Sequence, residues 1–307
     1  MSKPEISVIM STWDRETMVG RAIESIIGQT FSDFEFVIIN NGSVDRSGEL
    51  AEEYAINDQR IKVIHREHGN IGSARNAGLD IACGNYIAFV DDDDWCAPDF
   101  LEFLYRLAVD NSAEVAICGN TYKSYDEKLI MTAEEALMQL FRRKYYVAQF
   151  PTKLIRRSLF ENIRFSETAE FDDIEMMPQI IANANVVAYH GVSKYVYNRH
   201  EGSVSSWATN HSLLTSEILD EYLSVYRERT EFLSAKFPNN ATAWRYFEWS
   251  FMISMVDKIV RLEIKGCDSQ LAAVKNILRE HRKSFYCGHY TQDFEKAWMD
   301  EYIDEEF

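Results

Sequence analysis

Four consecutive carboxylates, Asp91 to Asp94, follow directly on an apolar run, Tyr86-Ile87-Ala88-Phe89-Val90, and precede Trp95. Acids this close repel one another, so the cluster calls for something positive beside it: a divalent cation, arginines, or open solvent. A second acidic cluster, Glu167, Glu170, Asp172, Asp173 and Glu175, opens a helical pattern through Met177, Ile180 and Ile181. Acids at a helix amino terminus are favoured by the helix dipole, so Asp172 and Asp173 have a structural explanation beside any chemical one. Other polar groups gather in short loops: Thr12 and Asp14 after Met10, Asn40-Asn41-Gly42-Ser43 after Ile39, Arg75-Asn76 within Asn70 to Gly78, and Arg199-His200-Glu201-Gly202-Ser203.

The elements that must carry these groups follow from apolar spacing. Ile6 to Met10, Phe34 to Ile39, Ile61 to Ile64 and Tyr86 to Val90 read as buried strands. Between them, Met18, Ala22, Ile23, Ile26 and Ile27 recur at helical spacing, with Asp14 placed to cap that helix, and another helix runs through Leu50 and Tyr54. Strand and helix alternating at short intervals predict parallel crossover units, with helices on both faces of a sheet. The ligand crevice of such a sheet lies beyond the carboxyl ends of its strands, where the loops after Met10, Ile39 and Val90 meet. Further on, the spacing predicts a helix over Pro98 to Ala108, a strand at Val115 to Cys118, a helix capped by Thr132, and short strands at Val186 to Tyr189 and Lys194 to Tyr197. The stretch from Lys153 to Phe165 reads only as basic. From about Ser212 the pattern is all helical, which places a boundary near residue 205 and divides the chain into 1–205 and 206–307.

Bulk properties exclude several classes. The 307 residues carry a net charge of -17, which argues against nonspecific binding to nucleic acid or to an anionic membrane surface. The amino terminus enters a strand with no apolar signal segment, and no apolar run is long enough to span a bilayer; the expected location is the cytoplasm, in part peripheral to the inner membrane face. Five scattered cysteines without a C-x-x-C pair argue for reduced thiols rather than a zinc site or a disulfide framework.

Taken in order, the pieces resemble glycosyltransferase family 2, the inverting enzymes that use nucleotide-sugar donors on a GT-A fold. The likeness rests on Ile6-Ser7-Val8-Ile9-Met10 followed by Thr12-Trp13-Asp14-Arg15, Gln29-Thr30-Phe31, Asn40-Asn41-Gly42-Ser43, Asn70 to Gly78, the strand into Asp91 to Asp94, and Phe165 to Asp173. It covers roughly the first two thirds of the chain, and six weak motifs in one order make a specific signal. The resemblance implies an α/β fold with a Rossmann-like mixed sheet flanked by helices, followed by a helical carboxyl-terminal region. It implies a donor, a uridine diphosphate sugar in the first instance, and a hydroxyl acceptor on a glycan, polymer or glycosylated protein.

The resemblance also distributes roles. The D-x-D positions fall on Asp91 and Asp93, with Asp93 the main ligand of Mn²⁺ or Mg²⁺, Asp91 a metal or ribose contact, and Asp92 between them. Asp173 falls on the general base, with Asp172 where a glutamate is usual. Thr12 and Asp14, with Pro4, bracket the nucleotide loop; Arg75 and Asn76 are placed to touch base or phosphates; Arg199 and Ser203 suit the diphosphate, and His200 the metal. Asn40 and Asn41 depart from the usual acid pair, and Asn41 can accept from a nucleobase N–H but, unlike aspartate, can also donate. That departure keeps a non-catalytic sugar-nucleotide or glycan-binding module in view. A nucleotidyltransferase would want a glycine-rich phosphate loop after the first strand, which is missing. A calcium loop counted from Asp91 would need a turn glycine where Cys96 stands, and an aspartyl phosphatase would not follow its aspartates with Asp94-Trp95. The dense aromatics Trp244, Tyr246, Phe247, Trp249 and Phe251 read first as core, with an acceptor-side lid or a homo-oligomer contact as the alternatives.

Overall fold

The computed structural model describes residues 3–168, 172–199 and 214–303. The chain divides into two compact units, Met1–Asn198 and Arg199–Phe307.

The first unit is built on one sheet. Its parallel part has the order β3 (Ile61–His65), β2 (Phe34–Asn40), β1 (Ile6–Thr12), β4 (Tyr86–Asp91). Next to β4 the direction reverses: β8 (Lys153–Arg156) runs antiparallel to both β4 and β6 (Val115–Asn120). β6 is therefore parallel to β4, and β9 (Val187–Val196) is parallel to β6. β9 also pairs antiparallel with β5 (Trp95–Cys96) and β7 (Lys128–Met131). The carboxyl ends of β1, β2, β4, β6 and β9 thus share one edge.

Alternation sets the layers. Ile6, Val8 and Met10 of β1 join a core with Val19, Ala22, Ile23 and Ile26 of α1 (Val19–Ile27) and Leu101, Leu104 and Ala108 of α4 (Phe100–Asp110). Ile9 points the other way, against α3 (Ile71–Ile81), where a Cβ on Gly78 would lie 2.5 Å from Ile9 Cγ2. α2 (Ser47–Asn57), α5 (Ala133–Arg142) and α6 (Asp172–Asn183) complete the described helices of this unit. Thr132 caps α5 as expected, in a reciprocal box with Glu135.

Three expectations are corrected. Asp14 caps nothing: α1 begins only at Val19, and Asp14 sits at φ 51° in the loop. The two short strands are one, because β9 runs unbroken through His190-Gly191-Val192-Ser193 and absorbs the irregularity as register shifts against β6. The basic stretch from Lys153 holds a central strand, its apolar content confined to buried Leu154 and Ile155 between charged neighbours.

The second unit is helical over its described residues: α7 (Ser216–Lys236), α8 (Ala241–Arg261), α9 (Asp268–Glu280), α10 (Arg282–Tyr286) and α11 (Asp293–Tyr302). Its aromatics pack among themselves, as core packing requires: Phe251 stacks on Tyr226 at 3.9 Å, and Tyr246 stacks on Phe285. Buried Glu295 accepts from Tyr246 Oη and Ser250 Oγ. No described helix is long and apolar enough to cross a membrane. The five cysteines are unpaired.

Candidate active site

The sheet brings the expected loops to one edge. Ser11 of β1 lies opposite Asp91 of β4, and Thr12 lies opposite Asn40 of β2. Around the carboxylate turn the backbone supplies donors: Trp13 N–H reaches Asp92 Oδ2 at 3.3 Å, and Asn198 N–H reaches buried Asp94 at 2.8 Å. Asp91 N–H donates to the hydroxyl of Tyr195 at 3.1 Å. Burial raises the carboxyl pKa of Asp91 to about 6, although Arg75 opposes it; Asp92 rises to about 7 and Asp94 to about 8, burial again leading. The acids of the run add to each shift by mutual repulsion.

One arginine joins this turn to the second acidic cluster. Arg75 is buried in α3, where its Nη1 donates to both oxygens of Asp172 at 2.9 and 2.7 Å, and its Nη2 stands 3.7 Å from Asp91 Oδ1. The rings of Phe89, Phe150 and Phe165 surround the guanidinium. Burial works against the charged form, yet Asp172 and Asp91 together hold its pKa above the ordinary value. Asp172 is buried under this fork, while Asp173, next along α6, remains partly exposed. Burial and the adjacent Asp172 raise the Asp173 pKa, and Arg75 and Lys153 pull it back.

α3 also fixes the segment leading to α6. The Asn76 amide pairs with both backbone groups of Phe165 at 2.9 and 3.0 Å, and Asn70, while capping α3 through Ser73, donates to Ser166 O. A Cβ on Gly72 would meet Ser166 O at 2.2 Å, so only glycine lets this segment lie so close. Asn76 is thus committed to the backbone.

Asn41 is committed likewise, its Nδ2 donating to Gly69 O at 2.7 Å and its Oδ1 accepting from Gly69 N–H at 3.3 Å. The Asp14 carboxylate receives Val44 N–H at 2.8 Å and clasps the turn after β2. The Thr12 hydroxyl is buried with no hydrogen-bond partner of acceptable geometry, though it leans toward Asp92 enough to favour that carboxylate. Arg199 is exposed at the start of the second unit, and His200 and Ser203 lie outside the described residues.

Three residues with a place at this edge were assigned no role of their own from the sequence. Trp13 is 47% exposed and packs against His68 with the rings tilted, centroids 4.3 Å apart; an aromatic between two polar loop residues was its signal. Asp94 ties the turn to the end of β9 through Asn198. Lys153 is 1% exposed with its ammonium on Gln149 O, and burial lowers its pKa to about 7. Its burial at the start of a short strand was visible only as charge.

The arrangement can be tested against a divalent cation. Among the described residues no three histidine, cysteine, aspartate or glutamate side chains form a metal-binding group. A pair of carboxylates is nonetheless what Mg²⁺ commonly takes from a protein when substrate phosphates and water complete its shell. The hard oxygens of Asp91 and Asp93, in a turn whose buried charge Arg75 and Arg15 only partly offset, fit that chemistry.

Residues 7–167 match the family model described as glycosyl transferase family 2. The chain belongs to this family. The family-2 match takes in the carboxylate turn and Arg75-Asn76, and it ends short of Asp172 and Asp173. Among curated relatives, glycosyltransferase GlyA of Streptococcus pneumoniae serotype 4 is 28% identical over 96% of this chain, which spans about half (49%) of that protein. Two solved structures share the GT-A fold. TarS of S. aureus (residues 1–349), in complex with UDP-GlcNAc, has a TM-score of 0.63 at 17% identity, covering 97% of this chain and 89% of that one. The mannosyltransferase PcManGT of Pyrobaculum calidifontis, in complex with GDP-Man and Mn²⁺, has a TM-score of 0.52 at 13% identity, covering 98% and 87%.

Proposed function

We propose that the protein is a metal-dependent inverting glycosyltransferase that moves a sugar from a nucleotide diphosphate, a uridine diphosphate sugar in the first instance, to a hydroxyl of a glycan, polymer or glycosylated protein. The observation that carries the reading is the Arg75 bridge. One buried guanidinium contacts the carboxylate turn at Asp91 and the helix bearing Asp173 at Asp172. An enzyme that must hold a leaving diphosphate and a general base in fixed relation needs such a link. The UDP-GlcNAc bound by TarS supports a uridine donor, and the Mn²⁺ bound by PcManGT supports a divalent ion.

Each residue then has a task. Asp93 and Asp91 would hold Mn²⁺ or Mg²⁺, which when bound neutralises the charge growing on the departing diphosphate. Thr12, its buried hydroxyl turned toward Asp92, and the exposed Trp13 ring offer the nucleotide a polar contact and a flat face. Asn41, its amide already paired with Gly69, holds the loop beneath them and keeps one oxygen lone pair for a base. Asp173 takes the proton from the acceptor hydroxyl, and its raised pKa strengthens it as a base. Arg199, His200 and Ser203 are proposed to meet the diphosphate and the metal.

The test is Asp173→Asn. Donor affinity by calorimetry should stay within about twofold while transfer falls on the order of a hundred- to ten-thousand-fold. Transfer retained near the wild-type rate would remove Asp173 as base. Donor binding by the wild type with no turnover under any condition would favour the non-catalytic module.

A further inference from the structure

Tyr197 carries one of the buried hydroxyls that lack a hydrogen-bond partner among the described residues. It follows the last residue of β9, whose carboxyl end lies at the same sheet edge as those of β1, β2 and β4. Side chains two apart in an extended chain share a face, so Tyr197 lies on the side of Tyr195, one step nearer the crevice. Tyr195 before it and Asn198 after it both touch the carboxylate turn. The Tyr195 hydroxyl takes Asp91 N–H at 3.1 Å, and Asn198 N–H holds Asp94 at 2.8 Å. The Tyr197 ring is held by Tyr195, 5.0 Å away edge-on, and by the parallel ring of Tyr122 at 6.4 Å. Its backbone N–H is bound by Thr121 Oγ1.

The position of the ring is therefore determined by packing and backbone. The hydroxyl contributes nothing to it: Oη is buried and has no hydrogen-bond partner among the described residues. An unmet buried hydroxyl carries a desolvation cost that a ligand able to satisfy it would remove. Burial, with Asp91, Asp94 and Asp173 nearby, strongly disfavours its ionisation, so it stays a neutral donor and acceptor.

On the reading under Proposed function, the space between the carboxylate turn and Asp173 belongs to the sugar being transferred. We infer that Tyr197 is a specificity-determining residue whose hydroxyl hydrogen-bonds a hydroxyl of the donor's glycosyl group. A phenol that both gives and takes a hydrogen bond suits a pyranose hydroxyl. Among three carboxylates it suits that group better than another anion.

The experiment compares wild type and Tyr197→Phe, which keeps both ring contacts. Affinities for UDP, UDP-glucose, UDP-galactose and UDP-GlcNAc are measured by calorimetry with Mn²⁺, and the melting temperature is measured without ligand. The expected result is about a tenfold loss of affinity for the sugar nucleotide that wild type prefers, with UDP affinity unchanged. The ligand-free melting temperature should hold or rise, since an unmet buried polar group has been removed. An unchanged preference for the sugar nucleotide over UDP overturns the inference. An equal loss for UDP, or a clear fall in melting temperature, overturns it too, by giving the hydroxyl to the nucleotide or to the fold. Wild type binding none of the four would instead defeat the donor reading itself, and this inference with it.

Discussion

The Arg75–Asp172 fork is the contact whose removal says most. Arg75→Met leaves Asp172, with a side chain 5% exposed, as an uncompensated buried carboxylate; Asp172→Leu leaves the guanidinium without its closest carboxylate, with Asp91 3.7 Å away. Breaking one side of a buried pair costs about 3–5 kcal/mol, whereas replacing both partners by apolar groups is often near neutral. Each single variant should therefore lose about 3–5 kcal/mol in chemical denaturation, and the double variant much less than the sum of the two. Transfer should stay low in the double variant, because Asp91 has lost its cation and α6 its link to the turn. If the two single losses simply add, the fork is not a unit. If Arg75→Met leaves stability intact and chiefly weakens UDP binding, Arg75 is a nucleotide contact, and the link between the two acidic clusters falls.

Three further outcomes follow from named contacts. Lys153, with its pKa lowered to about 7 by burial, is uncharged in the folded state where the unfolded chain still holds its proton; stability from this residue rises from pH about 7 toward 10. Below pH 7 the penalty is about 4–5 kcal/mol at most, so Lys153→Met should raise the melting temperature at pH 6 and flatten the slope above 7; a lower melting temperature would mean the ammonium is compensated. Asp14→Ala should cost about 1–3 kcal/mol through the lost Val44 amide contact and the φ of 51°, read by denaturation; no loss would leave the clasp without energetic weight. Gly72→Ala must displace the Phe165–Ser166 segment and should lower both melting temperature and transfer, while wild-type values would show that the segment yields freely.

Of the first four strands, β1, β2 and β4 were legible because Val8, Val37, Ile38 and Phe89 belong to runs buried on both sheet faces, leaving unbroken apolar stretches, while β3 showed only as Ile61, Val63 and Ile64 around Lys62. The edge where Thr12, Asn40 and Asp91 meet followed from that reading. β8 was not legible: a four-residue strand with charged ends has no period, and its place between β4 and β6 depends on tertiary pairing. In the site, residue types were readable but commitments were not. Arg75 finds Asp172 and Asn76 finds Phe165 across 97 and 89 positions, and no local spacing records such partners. Asp14 failed as a helix cap for the same reason, since its contacts lie about thirty residues on, at Val44 and Asp45.

The central claim is metal-dependent transfer from a nucleotide sugar at the carboxylate turn. The most direct measurement is UDP release from a panel of UDP-sugars by the purified protein, with Mn²⁺ and again with excess chelator, alongside Asp93→Asn. The account predicts release with Mn²⁺ for at least one sugar, lost on chelation and in the variant. Release that survives both chelation and Asp93→Asn would contradict it.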